Sequence, residues 1–216
     1  MLKKEVEKQT YREEWFNTIS HGITALTAIG GLVVLIIFGA LSDKQWTLFS
    51  ALFYGLSLVA LYTFSTLYHG LRNEKAKRLF NILDHCGIFL LIAGTYTPIL
   101  LVAIGDTRGW VFFGVQWGLA LFGVILKIFY TGKFRLASTL VYIFMGWIFV
   151  FLWNTIVTSI PEPAFWLLIS GGLSYTVGTL FYMLDKRVKY SHFIWHLFVM
   201  AGSILHYLMI ILYIIK

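Results

Sequence analysis

Residues 189–216 read "KYSHFIWHLFVMAGSILHYLMIILYIIK". The stretch holds an apolar run as long as the roughly 20 residues a helix needs to cross a hydrocarbon layer of about 30 Å. Three histidines, His192, His196 and His206, interrupt it. Acyl chains solvate imidazole poorly, so a span carrying three of them either uses them or hides them inside a bundle.

Working outward from this segment, six more runs of the same kind appear. The seven spans are predicted near residues 18–40, 46–69, 80–103, 110–127, 137–157, 164–184 and 192–214. Hydrophobic residues make up 59% of the 216 and charged residues only 12%, which is beyond what a soluble core of this size uses. The expected fold class is an all-α membrane protein, a seven-transmembrane-helix bundle. Connections are short and no Pro/Gly/Ser-rich linker divides them, so 1–216 reads as a single domain. The opening "MLKKEVEKQTYR" is too charged for a signal peptide's apolar segment and the first run is too long for one, so the first span is expected to be retained. A single cysteine, Cys86, excludes an intramolecular disulfide and any multi-cysteine zinc motif.

Orientation follows from Lys and Arg, which accumulate on cytoplasmic loops. Lys3, Lys4, Lys8, Arg12, Arg72, Lys75, Lys77, Arg78, Lys127, Lys133, Arg135, Lys186, Arg187 and Lys189 fall on one side, against Lys44, Arg108 and Lys216 on the other. The N-terminus is therefore expected inside the cell and the C-terminus outside. The net charge of +7 is explained by topology and anionic headgroups. No basic domain with interleaved aromatics stands outside the spans, so no nucleic acid partner is expected. Trp46, Trp110 and Trp166 near the outer span ends read as interfacial anchors. Gly114 and Gly118 in "GVQWG" have small-xxx-small spacing, and packing against a neighbouring helix is preferred over a dimer face. Pro98 is read as the sole proline inside a span, kinking the third, while Pro161 and Pro163 mark an outer loop.

Ionisable residues within spans are candidates for function. His69 ends the second span in "STLYHG", Asp84 and His85 open the third in "NILDHCGIFLL", and His192 and His196 open the seventh. The charge count independently puts all of these at the cytoplasmic ends. His192 and His196 are four apart and share a helix face, as two ligands of one metal would. Histidines at span ends also reach simply for headgroups, but convergence from three helices at one depth favours a metal. Three neutral imidazoles with a water form a recognised catalytic zinc arrangement, and Asp84 is expected to be the only carboxylate drawn into the bundle, positioned to manage a proton. His85 projects about 100° away from Asp84 around the helix and reads as interfacial or supporting. His206, about 15 Å deeper than His196, is out of ligand reach and is expected in a hydrogen bond between helices. Glu14, Asn17 and His21 share a face of the first helix. They either support the site or cap the helix start beside an interfacial histidine.

"SxxxH" at Ser65 to His69, Asp84 in "LDHCGIFLLIAGTYTP", "HxxxH" at His192 to His196 and the opening "EEWFNTISHG" together resemble the hemolysin III family. This is the bacterial branch of the progestin and adipoQ receptor group, related to alkaline ceramidases, and the resemblance covers essentially the whole chain. It implies that His69, His192 and His196 ligate zinc and that Asp84 contacts the metal through a water. Ser65, one turn before His69, is placed to hydrogen-bond that water or a substrate carbonyl. The resemblance also implies a bacterial plasma membrane location and, through the ceramidase relatives, hydrolysis of a lipid amide. The partners expected are membrane lipids, with a lipid amide or free fatty acid inside the bundle.

Two rival functions are a non-enzymatic sensor or regulator of membrane lipid state with zinc as a structural clip, and a pore-forming cytolysin. Seven permanent spans of fixed orientation argue against a secreted toxin. A retinal protein is excluded because the seventh span has no lysine before Lys216 to form a Schiff base. Proton conduction ranks low, since His206, Thr95, Tyr96 and Thr97 make a sparse relay without a second buried carboxylate.

Overall fold

The computed structural model describes residues 9–216. Lys3, Lys4 and Lys8 of the charge count lie outside the described residues. Eight α-helices follow in order: α1 (Tyr11–Leu41), α2 (Thr47–Gly70), α3 (Glu74–Pro98), α4 (Thr107–Tyr130), α5 (Arg135–Gly146), α6 (Trp153–Ser159), α7 (Glu162–Leu184) and α8 (Ser191–Ile210). With short π and 3₁₀ extensions they make seven membrane-length spans, α5 and α6 sharing the fifth. No strand is present among the described residues. The chain is a multi-pass membrane protein.

Helix starts follow local chemistry. Thr10 and Glu13 form a reciprocal capping box that begins α1 seven residues before the predicted apolar run, because two orphan donors are satisfied at once. Asn73 accepts from the Lys75 and Ala76 amides to start α3, and Asp106 accepts from Arg108 and Gly109 to start α4. Asp106 is half-exposed, and its hydrogen bond and ion pair with Arg108 hold its carboxyl below the usual range.

The fifth span departs from the continuous helix predicted. After Gly146 the chain tightens into a 3₁₀ stretch, Ile148–Leu152, before resuming as α6. A break inside a membrane frees carbonyls that lipid cannot satisfy. Here Gln116 Nε2 donates to the Met145 carbonyl at 2.9 Å and Tyr96 OH to the Gly146 carbonyl at 2.6 Å. The third span handles Pro98 comparably: α-helix ends there and continues as a π-helix, Ile99–Ile104. A proline cannot donate to the carbonyl four residues back, and a widened turn absorbs the mismatch. Pro163 corrects the loop assignment, because it lies within the first turn of α7, where a missing N–H costs nothing.

Gly114 and Gly118 also overturn the expectation. A Cβ built on either meets no atom within 4 Å, so this face of α4 points away from the bundle and packs no neighbouring helix. Other glycines carry the close contacts: a Cβ at Gly123 would lie 2.3 Å from the Phe89 ring, and one at Gly171 would lie 2.3 Å from His206.

The described Lys and Arg residues divide the bundle as the count does, with Lys44, Arg108 and Lys216 at the end opposite the rest. The two ends are called here the basic end and the far end. At the far end Ile99, Leu100, Ile210, Ile211, Ile214 and Ile215 are all buried in one apolar cluster.

Candidate metal centre

At the basic end α2 and α8 bring His69, His192 and His196 together, one ligand atom of each lying within 4.8 Å of the others. The ring centroids are 5.1, 5.1 and 4.8 Å apart pairwise. His69 and His196 are buried and His192 is half-buried. The α-helical period explains the arrangement: His192 and His196 stack on one face of α8, and His69 occupies the last turn of α2 opposite them.

Each ring is held from behind. His69 Nδ1 lies 2.5 Å from Glu14 Oε2, His192 Nδ1 lies 3.2 Å from Asp185 Oδ2, and His196 Nδ1 lies 3.4 Å from Ser20 Oγ. With Nδ1 engaged, Nε2 is the remaining atom on each ring. His69 Nε2 is buried and has no hydrogen-bond partner among the described residues. A carboxylate that accepts a hydrogen bond from Nδ1–H fixes the tautomer whose Nε2 lone pair faces inward, the usual disposition behind a metal-bound imidazole. This donor set fits zinc: three neutral nitrogens, one stranded in the interior, with two carboxylates orienting them.

Those carboxylates correct the view of Asp84 as the only acid drawn into the bundle. Glu14 bridges three helices, its second oxygen accepting from Lys77 Nζ at 2.7 Å. Asp185, in the turn between α7 and α8, also accepts from Arg135 at 2.7 Å. Burial alone would raise its carboxyl, but hydrogen bonds from His192 and Arg135 outweigh that and hold it below the usual carboxylate range. Asp185 is thus ionised at neutral pH and able to accept from the His192 ring. The sequence pattern marked Glu14 by its helix face; Asp185 carried no comparable signal, because its partnership depends on how the turn folds back.

Asp84 and Ser65 line a chamber of about 260 Å³ together with His21, His192 and His196. The Ser65 hydroxyl is fully buried beside Asp84 and makes no hydrogen bond within 3.5 Å among the described residues. His21 stacks on His196 with centroids 3.5 Å apart and planes 8° from parallel, and meets Tyr62 edge-on. It is buried, not interfacial. Asn17 is buried beside it, donating to Gln9. His85 lines the chamber too but is not one of the three converging ligands, its Nδ1 2.7 Å from the Asn81 carbonyl and its Nε2 3.4 Å from Tyr182 OH. His206 sits deep in the bundle and donates from Nε2 to the Leu168 carbonyl at 3.1 Å, joining α8 to α7. A second, largely apolar cavity of about 90 Å³ runs toward His206, sharing Leu61, Ile88, Tyr182, Trp195 and Val199 with the chamber walls.

Fold and site together define a multi-pass protein of the cell membrane with a three-histidine centre at one end of a seven-span bundle. Comparison with known proteins supplies the family. The "Haemolysin-III related" family model matches residues 9–207. "Hemolysin-3" of Bacillus cereus is 40% identical over 207 residues, covering 96% of this chain and 94% of the relative. "Hemolysin-3 homolog" of Bacillus subtilis (strain 168) is 41% identical, covering 96% and 97%. Human "Monocyte to macrophage differentiation factor" is 30% identical, covering 93% and 84%. The chain belongs to the hemolysin III family, as its motifs implied.

Proposed function

We propose that the protein is a zinc-dependent hydrolase of a lipid amide, its centre lying near the inner leaflet with the basic end toward the cytoplasm. The observation that carries this reading is the set of three converging imidazoles, each with Nδ1 engaged from behind. His69, His192 and His196 would hold the ion. When bound, zinc supplies Lewis acidity toward a carbonyl and toward water.

The remaining chemistry belongs to the chain. Glu14, Asp185 and Ser20 fix the three rings, so little reorganisation accompanies reaction. Asp84, facing the same chamber, accepts the proton of the attacking water and returns it to the departing amine. The Ser65 hydroxyl, on the same chamber wall as Asp84, donates to the substrate carbonyl. The first carbons of the acyl chain enter the adjoining apolar cavity, which keeps bulk water from that side of the amide.

Asp84→Asn separates catalysis from a structural clip. The hydrolase reading expects stoichiometric zinc to be retained while release of fatty acid from ceramide-like or N-acyl lipids falls at least a hundredfold, the lower range for loss of a general base. Wild-type protein that carries zinc and releases no fatty acid from any such lipid would sink the reading and leave a regulator with structural zinc. The names of the bacterial relatives raise membrane lysis as a second reading. Size-limited dye release from liposomes that survives His196→Ala would favour it.

A further inference from the structure

The chamber has a second chemical character on its other wall. Lys127 comes in from the last turn of α4, between α3 and α5, and lines the chamber that holds Asp84 and the histidines. The residue is only 4% exposed. Among the described residues its ammonium has no hydrogen bond and no ion pair, whereas the neighbouring cations are matched, Arg135 with Asp185 and Lys77 with Glu14. Lysine is rarely buried unless paired, because desolvating the charge is costly. A lysine near a helix end ordinarily extends its stem to place the charge in water. This one is instead turned into the cavity, while Lys133 and Lys186 stand exposed at its mouth.

Resting on the hydrolase reading of the same centre, we propose that the substrate is an acidic lipid amide and that Lys127 recognises its charged group. The metal ligands come from α2 and α8 and the free ammonium from α4, so the chamber offers one place for a carbonyl and a separate one for an oxyanion. An N-acyl amino acid meets both demands, with its amide at the centre and its carboxylate on Lys127. A phosphate-bearing amide offers the same oxyanion chemistry.

The test is equilibrium binding to full-length, zinc-loaded protein in nanodiscs of neutral phosphatidylcholine. The probes are N-oleoylglycine, neutral N-oleoylethanolamine and the phosphate ester of the latter. Wild-type protein is expected to bind an acidic probe about tenfold more tightly than the neutral one, as a charge-assisted contact implies, and the two acidic probes report whether carboxylate or phosphate is preferred. Lys127→Met should remove the difference and Lys127→Arg should keep most of it, while Lys133→Gln and Lys186→Gln leave it in place. Zinc content, measured on every variant, establishes that the centre is intact. Equal affinity of wild-type protein for acidic and neutral probes overturns the proposal without any variant being needed. A preference that survives Lys127→Met, or disappears with the mouth lysines, overturns it as well. Acid-selective binding lost in Lys127→Met but without hydrolysis supports recognition by Lys127 and sinks the hydrolase reading. Turnover of the neutral amide with no acid preference does the reverse.

Discussion

The two ends of the bundle solve different problems with the same helices. At the basic end, polar side chains reach across helices: Glu14 joins α1 to α2 and α3, Asp185 joins α8 to α5, and Glu13 Oε1 accepts the Tyr190 amide at 2.7 Å. At the far end the helices meet through buried isoleucine and leucine, with Trp46 and Trp110 in edge contact 5.0 Å apart at the rim. Polar networks inside a membrane are retained where they do something specific, because each unsatisfied member is expensive. The far end supplies cohesion, and the basic end directs lone pairs at one point.

The sharpest way to break this division is His196→Ala. Loss of one of three ligands is expected to reduce zinc from stoichiometric to near zero in elemental analysis, with helical content by circular dichroism unchanged. Ile210→Ala attacks the other end. Removing a fully buried side chain there should destabilise the detergent-solubilised protein by about 2–5 kcal/mol in a thermal or denaturant melt while zinc stays stoichiometric. If zinc falls in proportion to stability, the two ends are not independent and the comparison fails. Glu14→Gln sharpens it further. The amide cannot serve as an ionised acceptor for the His69 ring, so zinc affinity in a chelator competition should weaken by about 10–100-fold. An unchanged affinity would show that the Glu14 contact does not orient the ligand.

Much of this division was legible before folding was considered. Seven apolar runs gave seven spans, and histidines placed at one depth by the Lys/Arg asymmetry proved to be neighbours in space. The missing parts share a cause. Gly114 and Gly118 have the spacing of a packing motif, but spacing cannot say which way a helix is rotated, and α4 turns them outward. The fifth span breaks at Gly146 because Gln116 and Tyr96, from other helices, satisfy the freed carbonyls, and nothing local announces such rescue. Asp185 meets His192 only through the turn between α7 and α8. The early start of α1 was readable, since Thr10 and Glu13 have capping-box spacing, but hydropathy alone passes over a charged first turn.

The π-helical ends have a bearing on traffic. Both the third and the seventh spans widen at the far end, Ile99–Ile104 and Ile211–Ile215, and their isoleucines close the bundle there. The polar chamber opens at the other end, with Lys133 and Lys186 at its mouth. A polar visitor to the histidines therefore has its route on the lysine side, away from the isoleucines.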